Sequence, residues 1–231
     1  MPEITYEPED DASMSGINPD SNYGAGTSLW VGVAYFGGNK SDFFRAIMDF
    51  DVSDLAGETI VTARLERYVY DIIGEAGATA QIMRCTRPGD WVESQVTWNN
   101  YKTGSSWTAG GGDVDVSNPP PVSYAEASSA GWHAISGLGG FVEDALANRG
   151  GIVSLIFRLA DEVPDAGAEY VFFSTRSALN HPRLIVEYGE AAAGPSGRRL
   201  AHEPPALASR RPAREAPPTV AARPAPERRS A

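Results

Sequence analysis

Hydrophobic and polar positions alternate in short runs along most of the chain, and glycine, asparagine, aspartate and proline break the runs apart. In the segment Ile60–Ile72, Ala63, Leu65 and Arg67 fall on one face of an extended chain and Arg64, Glu66 and Tyr68 on the other; Leu184 and Val186 alternate in the same way near the end of the patterned region. A period of two with turn residues between runs predicts strands. The reading places them at 28–36, 45–52, 60–72, 79–86, 95–100, 152–160, 170–175 and 183–188. One segment departs from it. In "ISGLGGFVEDALANRGG" the apolar positions Ile135, Leu138, Val142, Ala145 and Leu146 recur at helical spacing and Gly150 follows as a stop signal, which predicts one short amphipathic helix over 138–148. Many short strands with a single helix point to an all-β fold, an antiparallel jelly-roll β-sandwich.

The patterning ends near Tyr188. Residues 191–231 are built from Ala, Pro and Arg with no apolar period, so the expected organisation is a β-sandwich domain over 1–190 and a low-complexity Pro/Ala/Arg tail over 191–231, extended unless partners hold it. Charge divides at the same boundary. The tail holds eight arginines against three glutamates, a net of +5, which leaves −16 for residues 1–190 out of the total of −11. A folded part this acidic repels phosphates and excludes a nucleic-acid-binding core. The first sixteen residues carry neither the basic nor the apolar region of a secretion signal, and no run approaches the ~18 apolar residues of a membrane helix, so no membrane insertion is expected, and the chain either stays where it is made or leaves by a route other than ordinary secretion.

Candidate chemistry is sparse. The single cysteine, Cys85, forms no internal disulfide and reads as a small buried hydrophobe; His133, His181 and His202 have no metal-ligand spacing, and His181 sits in a turn, "NHPR". No nucleophile elbow or phosphate-cradling loop is present, and no pair of carboxylates stands out for glycoside cleavage, so no catalytic residue is assigned. Oxygen ligands gather in Pro8–Gly24, read as one loop, where Asp10, Asp11, Asn18 and Asp20 are candidates for a structural calcium; a solvated acidic loop is the competing reading. In "TRPGDWVESQVTWNNY", Val96 and Trp98 share a strand face, which predicts Trp98 as a core plug with Trp91 packed beside it. Tyr101, Trp107 and Tyr124 are then the candidates for exposed rings that stack on a glycan.

The order of motifs resembles the DNRLRE-type domain family. It is carried by "NYG" at Asn22–Gly24, "LWVG" at Leu29–Gly32, "RAIMDFDVSDLAGETIVTARLERYV" at Arg45–Val69, "TRPGDWVESQVTWNN" at Thr86–Asn100, a helix before "GGIVSLIFRL", and "FFSTRSALNHPRLIVEY" at Phe172–Tyr188, together spanning roughly 4–188. The resemblance implies a β-jelly-roll related to carbohydrate-binding modules, without catalysis, in which a structural calcium is common. Two functions follow. The favoured one, resting on the lack of a secretion signal, the lone domain and the Pro/Arg tail, is a structural or decorating protein on the surface of a virus particle, a bacteriophage capsid decoration or tail component, touching capsid or tail proteins and copies of itself and binding host glycans. The alternative is a carbohydrate-binding or adhesive module on a bacterial surface. Deleting residues 191–231 separates the two: the first predicts lost particle attachment, the second unchanged glycan affinity.

Overall fold

The computed structural model describes residues 1–35, 41–162 and 167–189. The chain divides into two units, Met1–Ala192 and Ala193–Ala231; the second, with the predicted tail, lies outside the described residues, as does Phe36 at the end of the first predicted strand. The first unit contains the strands β1 (Glu3–Tyr6), β2 (Asp10–Ser15), β3 (Ser28–Tyr35), β4 (Ser41–Asp51), β5 (Thr59–Gly74), β6 (Thr79–Cys85), β7 (Asn100–Lys102), β8 (Ser105–Ser106), β9 (Val114–Asp115), β10 (Val122–Ala125), β11 (Gly131–Ser136), the helix α1 (Gly139–Asn148), then β12 (Ile152–Leu159), β13 (Ala168–Phe173) and β14 (Arg183–Gly189). All strand pairs among the described residues are antiparallel. Their main path runs β1-β14-β5-β13-β3-β4-β12-β6-β10, with β11 on β5, β2 on β4 and β9 on β6, and the first and last strands lie side by side.

The path doubles over a main apolar interior. Leu29, Val31 and Val33 of β3, Leu65 and Val69 of β5, and Tyr170 and Phe172 of β13 meet Met48 and Phe50 of β4 and Leu155 and Phe157 of β12 in one buried cluster. Fully burying each such side chain contributes about 1.5–3 kcal/mol, which makes this cluster the main support of the fold. The sandwich expected from the sequence is therefore present. The helix is present too: Phe141, Val142 and Ala145 turn into the core and Leu138 stands at its N-cap.

Three expectations change. Residues 95–99 form a hydrogen-bonded turn region rather than a strand, with Val96 N–H donating to Val92 O (2.8 Å) and Thr97 N–H to Asn100 O (2.8 Å). About a third of the acidic "loop" is strand β2, paired with β4 through Asp11↔Met48 and Ala12↔Ile47. Trp98 is half-buried rather than central; it packs against a second apolar cluster of Ala12, Met14, Ile47, Trp91, Val96, Trp107 and Ile156, in which β2 and the long 86–114 segment cover the other face of β4 and β12. The loop tryptophans thus build a lid over a sheet.

Candidate functional site

Strand β5 is the scaffold of the most exposed aromatic group. Its sixteen residues take two partners in tandem along one edge, β14 and then β13, and take β11 along the other. Ala63, Leu65, Arg67 and Val69 are buried, which leaves Arg64, Glu66, Tyr68 and Tyr70 on the outer face. Register brings further rings beside them. Trp132 of β11 pairs directly with Tyr68, and a bulge between Val171 and Phe172 re-aims β13, so that Phe172 is buried and Phe173 faces out.

The result is a row of four contacting rings. Trp132 meets Tyr68 edge-on at 5.7 Å, Phe173 stacks on Tyr68 at 5.8 Å and on Tyr70 at 4.6 Å, and the Tyr70 hydroxyl lies 2.5 Å from Ser28 Oγ. Trp132 is 42% exposed, the other three are half-buried, and the Arg183 guanidinium lies 4.5 Å above the Trp132 ring. A polar ladder borders the row: Arg183 donates to Glu66 (2.7 and 2.9 Å), Arg64 to Glu66 (3.1 Å) and Arg64 to Glu3 (3.0 Å). Burial alone would raise the Glu66 carboxyl; the hydrogen bonds from Arg64 and Arg183 outweigh it and hold Glu66 below the usual carboxylate range. Fixed aromatic faces next to oriented donors and acceptors suit a ligand with one apolar C–H face and a rim of hydroxyls.

The predicted stacking residues sit elsewhere. Tyr101 and Trp107 do come together, 5.4 Å apart, but Trp107 is only 6% exposed and its Nε1 donates to Thr97 O (3.0 Å), so it is a core residue of the lid. Tyr101 is half-buried, with Arg87 and Lys102 over its ring at 4.3 and 5.3 Å. Tyr124 lies apart from both on β10, its hydroxyl donating to the buried Glu126 (2.9 Å), and burial above all pushes its phenol well up. The calcium candidates also diverge. Asp11 is buried and accepts from Thr175 N–H (2.7 Å), while Asp20 accepts from Asn99 Nδ2 (2.8 Å) and Asn18 lines a separate cleft. Among the described residues no three His, Cys, Asp or Glu side chains gather as a metal site. Cys85 and His181 match their readings: burial drives the thiol up to about 12, and His181 Nε2 bonds Ser177 O at 2.6 Å.

Comparison with known families points the same way as the rings. Carbohydrate-binding module family 96 matches residues 2–110. The matched segment is a little under half of the chain and contains Tyr68, Tyr70, Arg64 and Glu66; Trp132, Phe173 and Arg183 join them from beyond it through the strand pairing. This supports a carbohydrate-binding module family, the relationship implied by the DNRLRE resemblance. No curated protein matches the chain.

Proposed function

We propose that this chain is a non-catalytic carbohydrate-binding module that holds glycan on the outer face of β5, β11 and β13. The observation that carries the reading is the exposed Trp132 at the head of a continuous aromatic row beside the Arg183–Glu66–Arg64 ladder. A pyranose ring would stack its C–H face on Trp132 and Tyr68, where the negative π face meets weakly positive hydrogens, and its hydroxyls would reach the ladder. The ladder is already formed, so little side-chain freedom remains to be lost on binding. The family match and the aromatic row both speak to sugars and neither speaks to capsid contacts, which favours this reading over particle decoration.

The test is a set of binding isotherms for the full chain against a panel of soluble polysaccharides, repeated with Trp132→Ala. The expected result is saturable binding to at least one glycan, weakened about tenfold or more by the substitution, since losing an aromatic anchor costs upward of about 1.4 kcal/mol. Equal affinity of the two proteins would overturn the placement of the site, and absence of binding across the panel would overturn the function.

A further inference from the structure

A second aromatic site lies at the seam where β2, β3 and β4 meet. It is a cleft of about 300 Å³, walled by Trp30, Phe44 and Tyr23 and lined by Ser13, Asn18 and Asp42. This volume is at the lower end of the ~300–1,000 Å³ typical of small-ligand pockets. Trp30 and Phe44 are 5.6 Å apart with planes tilted by 41°, an open angle rather than a closed stack. The Asp42 carboxylate, 1% exposed, is fixed from behind: Oδ2 accepts from Ser15 Oγ (2.6 Å) and Oδ1 from Ile17 N–H (2.8 Å). Each oxygen keeps accepting capacity beyond these bonds.

The charge around the cleft is one-sided. Glu169 pairs with Gly32, which pairs in turn with Phe44, so a second carboxylate stands one strand away. Burial, then the Asp42 and Asp71 carboxylates, push the Glu169 carboxyl above its usual range. Among the described residues neither Asp42, Glu169 nor Asp71 has an ion-pair partner. The rings are treated differently here too. Trp98, Tyr101, Tyr124, Trp132 and Phe172 each carry an arginine over the ring, whereas no such cation lies over Trp30, Phe44 or Tyr23 among the described residues. Aromatic walls, a buried carboxylate and no internal cation make a site complementary to a compact organic cation.

We propose that this cleft takes the protonated amine of an amino sugar, with the sugar ring against Trp30 and Phe44 and the ammonium directed at Asp42. The inference rests on the carbohydrate reading and adds the chemical class that this cleft selects. Asn18, which lines the cleft, brings an amide that can meet the sugar hydroxyls, and the Ser13 hydroxyl, which accepts from Trp30 N–H (2.9 Å), still has its own proton to donate. N-acetylation would remove the charge and add bulk at the carboxylate, so the site discriminates amine from amide.

The experiment titrates the full chain with a fully deacetylated β-1,4-glucosamine trimer and with its fully N-acetylated counterpart, at a pH where the amines are protonated. The expected outcome is about tenfold tighter binding of the deacetylated trimer, the scale of one hydrogen bond to a charged group. Asp42→Asn abolishes that preference and leaves the N-acetylated trimer unchanged. Phe44→Leu, which keeps the wall apolar and shortens it, weakens the amino trimer. Thermal melts of the variants identify any that fail to fold. Equal binding of both trimers, or a preference that survives Asp42→Asn in a folded protein, would overturn the cleft assignment while the carbohydrate reading stands. Failure of these trimers and of every neutral glycan would remove both.

Discussion

At the scale of single residues, the same residue type does opposite jobs according to the face on which it lands. Trp107 and Trp132 are both loop-flanked tryptophans next to polar sequence, yet the first is 6% exposed under the lid and the second 42% exposed on the sheet. Trp107→Ala is expected to cost about 3–5 kcal/mol in denaturant unfolding, as large buried aromatics do, with glycan affinity of the folded fraction retained. Trp132→Ala is expected to reverse that pattern, losing affinity with a stability change under about 1 kcal/mol. Arg67 shows how far patterning reaches. The sequence places it on one face with Ala63 and Leu65, and that face is the core, where Arg67 pairs with Glu126 and lies over Phe172 at 4.6 Å. Glu126→Ala should destabilise by about 3–5 kcal/mol because it strands a buried guanidinium; replacing both partners with Met and Leu should recover most of that loss in the same unfolding measurement.

At the scale of elements, the long strands and the helix were legible because their period is local. β5, β12 and β14 lie within two residues of their predicted bounds, and α1 begins one residue late. What the sequence hid is everything decided by pairing. The Tyr68–Trp132 contact joins residues 64 apart, and Phe173 reaches the row only because of a bulge, so no local signal marks the four rings as one surface. The acidic residues of β2 read as loop because a strand whose neighbours cover both its faces needs no apolar-polar alternation. Gly32 marks a place where two strands approach closely. Its φ is +151° and a Cβ there would stand 2.1 Å from Ala168 O, so Gly32→Ala should force β3 and β13 apart. The expected sign is a loss of more than about 3 kcal/mol together with faster amide exchange along 168–173 than in strand β6; uniform loss across the sheets would contradict a local opening.

At the scale of the whole unit, two buried carboxyls make stability depend on pH. Burial above all raises Asp11 and Asp49 from 3.8 to about 6, against hydrogen bonds from Thr175 N–H to Asp11 and from Ser154 Oγ and Gly89 N–H to Asp49. Because the folded values lie above the unfolded ones, these groups favour the fold fully below about pH 4, and that contribution is lost as pH rises through about 6. Each amounts to on the order of 3 kcal/mol. Asp113, Asp115 and Asp144 are held below the ordinary value, so their opposite effect acts at lower pH. Unfolding curves between pH 4 and 7 should therefore flatten in Asp49→Asn, and flatten further when Asp11→Asn is added; an unchanged slope would show that neither carboxyl titrates in this window.

The central claim is that sugar meets this protein on the outer aromatic row. The chain has five tryptophans, and their indole N–H resonances report five places at once: Trp132 on the row, Trp30 in the cleft, Trp98 half-buried, and Trp91 and Trp107 buried under the lid. We would follow these five signals by NMR while titrating the full chain with a neutral oligosaccharide from the binding panel. The account predicts that Trp132 shifts progressively to saturation while Trp91 and Trp107 stay in place. Saturable shifts confined to the lid tryptophans, with Trp132 unmoved, would contradict it.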